Sequence, residues 1–338
     1  MTVQQVPVIG LTGHLGAGKT TLLNHLLRQP GARIGVVIND FGSINVDAAL
    51  VSGQIDDAAS IAGGCLCCLT DAGGLDDALE RLTHPRLRLD AVIVEASGVA
   101  EPPALARLIR FSGAAHARPG GLIDVVDAVE HRRTVDTGAV PPVRFQAASL
   151  VVITKADRLP SADRDRWLDA LVDRIRESNA DVPIVVAGRG RIDPVLVFDS
   201  AAEEDPADEL PLAVLSRTEH AHEHAQATAV TVPAVGPVEA GAVIDLLESP
   251  PPRVYRIKGC VSVRTRYRER RYVVNVVGHQ VHIAPAPGPG PGDGLVAIGM
   301  DLVTASVRTR IEEALRPTEG ATSTAGLRRL HRHRRLSE

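Results

Sequence analysis

One segment, Gly13-His-Leu-Gly-Ala-Gly18-Lys19-Thr20, constrains this chain more than any other. It fits the pattern G-x-x-x-x-G-K-[ST], follows directly on the apolar run Val6–Thr12, and opens onto a helix-compatible stretch, Thr21–Arg28. Glycines at these positions let successive backbone N–H groups turn inward around phosphate oxygens, and the N-terminus of the helix adds a favourable dipole. Lys19 is placed to neutralise the β- and γ-phosphates and Thr20 to ligate Mg²⁺. The plainer alternative is a tight strand-to-helix turn with no ligand.

Around this segment, short apolar runs recur between helical patterns: Val6–Thr12, Ile34–Ile38, Leu89–Val94, Leu122–Val126, Leu150–Thr154 and Val182–Ala187. Near-continuous apolar strands separated by helices mark a parallel sheet covered on both faces. The spacing therefore predicts an α/β domain of the P-loop NTPase type with a mostly parallel sheet over 1–198. Residues 199–225 read as an acidic linker with a His tract, and 226–316 as a smaller α+β domain. The remaining 317–338 read as a disordered basic tail. In the smaller domain strands are expected at Ala227–Val232, Arg253–Val263, Arg271–Val277, Gln280–Ala284 and Leu295–Gly299, with helices at Val238–Leu247 and Leu302–Leu315. A chain of 338 residues exceeds what one core usually supports, in keeping with two domains.

Two further segments complete the nucleotide reading. The strand Leu89–Val94 ends in Glu95-Ala-Ser-Gly98, which sets a carboxylate at a strand's C-terminal edge, where an acid on the Mg²⁺ side or a water-positioning group is needed. A cap for the helix after Pro102 is the structural alternative. Thr154-Lys155-Ala-Asp157 follows another apolar strand at the place of a base-reading loop. Asp157 suits the N1 and N2 donors of guanine, for which adenine has no counterpart, while the stem of Lys155 packs over the ring. A structural turn is the alternative reading of this tetrad.

Taken together, these residues resemble the CobW family of GTPases, relatives of the metal-delivery proteins UreG and HypB. The resemblance rests on Gly13–Thr21, Asn39-Asp40-Phe-Gly42 with Asp47, Gly63-Gly-Cys65-Leu-Cys67-Cys68, Glu95–Gly98 with Ala100-Glu101-Pro102, and Thr154–Asp157. It continues through Arg256-Ile-Lys258-Gly259 and Tyr272–Gly278, so that it covers nearly all of residues 6–315. It implies a GTPase that binds GTP and Mg²⁺ through Gly13, His14, Leu15, Gly16, Ala17, Gly18, Lys19, Thr20 and Thr21, with Lys155 and Asp157 on the base. Lys19 and Glu95 would be catalytic, and Thr20 and Glu95 would sit at Mg²⁺. The chain departs from the family at Thr154, where the common form has Asn; the loss of that amide removes a brace on the base and predicts a looser guanine preference.

The same resemblance casts Cys65, Cys67 and Cys68, with Asp40 or an exogenous ligand, as an open transition-metal site. Soft thiolates favour Zn²⁺, with Co²⁺ or Ni²⁺ also open. Buried structural thiols or a fixed zinc staple are the alternatives. Function is then expected to be metal delivery to a recipient metalloprotein; a small-molecule kinase and a nucleotide-regulated scaffold are the competing readings. Cys260 stands alone and is expected in the core. His220, His222 and His224 read as a solvated loop or a metal antenna. A net charge of −4 lays down no general footprint for nucleic acid, and no stretch reaches membrane-spanning length, so a cytoplasmic protein without a membrane or nucleic-acid partner is expected. Homo-oligomerisation is left open.

Overall fold

Apolar runs of five residues with no polar interruption can be satisfied only where both faces of a strand are covered, and the central strands of the chain meet that condition. In a computed structural model, residues 5–28, 32–38, 58–60, 73–96, 101–138, 142–198, 227–278, 280–286 and 292–337 are described. They divide into two units, one within Gln4–Gln226 and one spanning Ala227–Glu338.

The first unit runs β1 (Val6–Gly13), α1 (Lys19–Leu27), β2 (Ile34–Ile38), β3 (Ala58–Ser60), α2 (Gly73–Leu82), β4 (Ala91–Glu95) and α3 (Pro102–Arg110). It continues through β5 (Ala117–Asp127), β6 (Leu150–Thr154), α4 (Arg164–Arg176) and β7 (Ile184–Val186). Among the described residues its sheet has seven strands in the order β3-β2-β4-β1-β5-β6-β7, and every neighbouring pair is parallel. Strands β2, β4 and β6 are buried at every position. The mostly parallel sheet expected from the apolar runs is therefore present. Two details differ. Strand β5 begins at Ala117, five residues before its apolar run, because Arg118-Pro-Gly-Gly121 lacks an apolar signature yet lies beside β1, with Val6 opposite Ala117. The short edge strand β3, Ala-Ala-Ser, carries no periodicity to detect.

What positions the site is the register around β1. Parallel pairing sets Leu11 opposite Glu95 in β4 and Thr12 opposite Asp124 in β5, so the C-terminal ends of all three strands open at the loop that follows Gly13.

The second unit contains β8 (Thr228–Pro233), α5 (Ala240–Glu248), β9 (Val254–Arg264), β10 (Glu269–Val277), β11 (Gln280–Pro285), β12 (Gly294–Gly299), α6 (Thr304–Ala314) and α7 (Thr324–Ser337). Among the described residues its five strands are antiparallel in the order β11-β10-β9-β12-β8. Alternation decides which side chains enter the core: Val261 and Val263 are buried, while Cys260 and Ser262, which alternate with them, are only half-buried. The expectation of a core Cys260 is thereby corrected.

The basic tail also requires correction. Instead of disorder, Thr324–Ser337 forms α7. Its Leu330 is buried among Val243, Ile244, Leu247 and their neighbours. Arg329 pairs with Asp245 and Glu248 of α5, and His333 with Glu248. A run of cations reads as solvated until a partner helix supplies acids at matching positions. No helix among the described residues is long and apolar enough to cross a membrane.

Candidate nucleotide site

After β1 the backbone takes conformations that side chains resist. Gly16 and Gly18 sit at φ 78° and 99°, and Gly18 in the left-handed region caps α1. A Cβ at Gly13 would lie 2.6 Å from the Val125 carbonyl of β5. Glycine at 13 and 18 is therefore required by close approach and by φ respectively. The turn is closed by the Ala17 amide donating to the His14 carbonyl at 3.0 Å.

Lys19 and Thr20 open α1. Lys19 is buried, and its Nζ donates to the Gly13 carbonyl at 3.0 Å and reaches the His14 carbonyl at 3.5 Å, so its charge is folded against the loop it would share with phosphate. The Thr20 hydroxyl lies 3.4 Å from Glu95 Oε1, across from the end of β4. Glu95 is 3% exposed. A hydroxyl and a buried carboxylate facing each other form a hard oxygen donor pair, which fits Mg²⁺. Thr21 is exposed on the first turn of α1, and a turn after β7 closes on it: a Cβ at Gly190 would come within 2.8 Å of Thr21 Cγ2.

The tetrad Thr154–Asp157, expected to read the base, is tied to the same loop. Thr154 ends β6, and its hydroxyl is within donating distance of the Ala17 carbonyl at 2.7 Å and of the Val126 carbonyl at 3.2 Å. The threonine that replaces the usual amide thus braces the loop after β1 directly, a contact separate from the brace on the base that the amide would supply. Lys155, at φ 58°, donates to the Gly16 carbonyl at 2.7 Å and to Asp127 Oδ2 at 2.6 Å. Asp157 is exposed on the short 3-10 turn Ala156–Arg158 that follows.

Asp127 escaped the sequence reading, although it ends an apolar strand in the same manner as Glu95. Burial pushes its carboxyl up, but the Lys155 ammonium and the Glu130 and Val129 amides outweigh this and hold it below the usual carboxylate range. Beneath it, Asp124 is fully buried and accepts from Thr12 at 2.9 Å and from two nitrogens of Arg144 at 2.8 and 2.6 Å. A pocket of about 230 Å³ opens beside the outer side of the phosphate loop, lined by His14, Leu15, Gly16, Asp127, His131 and Lys155 among others. Burial is the main reason the His131 pKa falls to about 4, with Asp136 opposing and Arg144 adding to it, so the ring is neutral at pH 7.

The structure thus brings Gly13 to Thr21, Glu95 and Thr154 to Asp157 to one end of the sheet. Asp40, Cys65, Cys67, Cys68 and the His tract lie outside the described residues, and among the described residues no group of three or more His, Cys, Asp or Glu side chains is placed to hold a metal ion.

The family model described as the CobW/HypB/UreG nucleotide-binding domain matches residues 7–185, and that of the cobalamin synthesis protein cobW C-terminal domain matches 227–315. The chain belongs to the CobW/HypB/UreG family. Among its relatives, the zinc chaperone YjiA of Escherichia coli is 31% identical over 204 residues, which are 58% of this chain and 61% of YjiA. The zinc chaperone CobW of Pseudomonas aeruginosa is 31% identical over 256 residues, 66% of each chain. The match thus spans about two thirds or less of the length of these curated relatives. The crystal structure of the Zn(II)-bound YjiA GTPase from E. coli overlaps 92% of this chain and 99% of its own at 20% identity, with a TM-score of 0.42. That overlap is loose, and family membership rests on the sequence matches.

Proposed function

We propose that this CobW-family chain hydrolyses GTP and uses the cycle to load and deliver a transition metal, Zn²⁺ first among candidates, to a recipient metalloprotein. The observation that carries the nucleotide half is the pairing of Thr20 with Glu95 at 3.4 Å, at the mouth of a loop whose backbone conformation requires glycine. Phosphates would lie in the cradle Gly13–Thr20, with Lys19 turning from the Gly13 carbonyl to the β- and γ-oxygens. Thr20 and Glu95 would hold Mg²⁺, which when bound neutralises charge developing on the phosphoryl oxygens. Glu95 would also orient the water that attacks the γ-phosphorus, releasing phosphate and GDP. Lys155 would cover the base and Asp157 accept from guanine N1 and N2.

The metal half rests on Cys65-x-Cys67-Cys68 and on the names of the zinc-chaperone relatives. An incomplete thiolate shell, with Asp40 or an outside ligand as the remaining donor, suits a cargo that must leave again. GTP would close this site and hydrolysis reopen it, so slow intrinsic turnover is the expected behaviour of a switch of this kind. The cycle would run in the cytoplasm.

The test is a titration of Zn²⁺ and of Co²⁺ into protein bearing GDP or a non-hydrolysable GTP analogue, with Cys67→Ser as control. Tighter metal binding in the GTP state, lost in the variant, supports nucleotide-coupled loading. Equal affinity in both states rejects it, since a ligand without differential affinity moves no equilibrium.

A further inference from the structure

The whole-chain charge of −4, from which no nucleic-acid partner is expected, averages over a division. Residues 227–338 hold 16 Lys and Arg against 10 Asp and Glu, whereas residues 1–226 hold 21 against 31. Within the second unit, cations gather on two adjoining features.

The first is α7, in which every charged side chain is cationic. Arg329 and His333 turn to the acids of α5, and His331 and Arg334 are half-buried. Arg328, Arg332 and Arg335 remain exposed, and their spacing sets them along one face of the helix. Like charges so spaced work against helix stability, so this stripe is not explained by the fold.

The second is the hairpin tip between β9 and β10. The Thr265 amide donates to the Arg268 carbonyl at 2.9 Å, the Thr265 hydroxyl donates to the same oxygen at 2.6 Å, and the Arg268 amide donates to that hydroxyl at 3.2 Å. On the turn this closes stand Arg266 and Tyr267, the latter 95% exposed. Turns of this kind favour Asn, Asp, Gly or Ser, and nothing in the packing calls for an aromatic ring between two arginines. The two features adjoin. The Thr322 amide, just ahead of α7, donates to the Arg264 carbonyl at 2.8 Å, and Arg264 Nη1 donates to the Glu319 carbonyl at 2.9 Å. Arg270 of β10 lies close enough to α7 that its field, after burial and with those of Arg334 and Arg335, disfavours the protonated form of His331.

We infer that this surface docks single-stranded nucleic acid, with Arg328, Arg332, Arg335 and Arg266 along the phosphates and a base stacked on Tyr267. Stacking needs a π-face held open to solvent, and the closed turn holds one. An acidic polypeptide would satisfy the arginines but leave the exposed ring without a role.

The experiment is fluorescence anisotropy of a labelled single-stranded RNA of mixed sequence against the full chain, over a series of salt concentrations. Binding at low salt is expected, its logarithm falling linearly with log[salt] at about −0.7 per phosphate neutralised. Tyr267→Ala should weaken it roughly tenfold. Arg328→Glu/Arg332→Glu/Arg335→Glu should abolish it while thermal midpoint and GTP affinity stay at wild type. If charge reversal unfolds α7, the corresponding triple Gln variant keeps helix propensity and serves in its place. No binding at low salt, or unchanged binding by the folded arginine variants, overturns the proposal. So does Tyr267→Ala binding at full affinity while polyglutamate displaces the RNA charge for charge, which would assign the surface to an acidic polypeptide.

Discussion

The Thr154 hydroxyl lies 2.7 Å from the Ala17 carbonyl, and the next residue, Lys155, donates to the Gly16 carbonyl at 2.7 Å. Two consecutive residues at the end of β6 therefore hold two consecutive residues of the loop between β1 and α1.

Thr154→Val keeps the shape of the side chain but removes its donor. Because the site is buried, the loss should cost about 1 to 2 kcal/mol of stability, and GTP affinity should fall several-fold as the phosphate loop loosens. Urea unfolding and titration with a fluorescent GTP analogue measure the two effects. Thr154→Asn restores a donor and should recover nucleotide affinity; wild-type GTP affinity in Thr154→Val would mean that the brace is idle.

Glu95→Gln preserves size and removes the charge that faces Thr20. Phosphate release should slow on the order of a hundredfold, and the Mg²⁺ concentration for half-maximal nucleotide binding should rise. A variant that hydrolyses GTP at the wild-type rate would leave Glu95 a purely structural residue at the end of β4.

His131 links stability to pH. Its folded pKa of about 4 lies below the ordinary 6.5, so between those values the unfolded chain takes up the proton that the folded chain refuses. Stability contributed by the neutral ring is full above 6.5 and is lost as pH falls toward 4, by about 3 kcal/mol in all. Chemical denaturation across this range should show the decline, and His131→Gln should flatten it. An equally steep decline in the variant would place the effect on other groups.

Leu330 tests the docking of the terminal helix. The side chain is 1% exposed, so Leu330→Ala should destabilise the second unit by about 2 to 4 kcal/mol. A thermal midpoint indistinguishable from wild type would mean that α7 contributes nothing to that core.

Much of the architecture is legible in the residue pattern. The buried runs at Ile34–Ile38 and Leu150–Thr154 coincide with strands to the residue, because a strand covered on both faces must be apolar throughout. The loop Gly13–Thr20 was legible for a related reason: a backbone that points amides at phosphate needs glycines at fixed intervals. Strand β5 was legible only in part, since Arg118-Pro-Gly-Gly121 pairs through its backbone and leaves no side-chain pattern.

Local chemistry, then, was written in residue order: the phosphate loop, the acid ending β4, and the alternation of sheet and helix follow from short-range sterics and periodicity. Tertiary structure alone decided relations between distant positions. Asp127 became the partner of Lys155 because β5 and β6 are neighbours, with Asp127 opposite Thr154. Arg329 and His333 found Asp245 and Glu248 because α7 packs on α5. A charge has no preferred partner until folding fixes its distance and its access to water, and that is why these pairings could not be read from the chain.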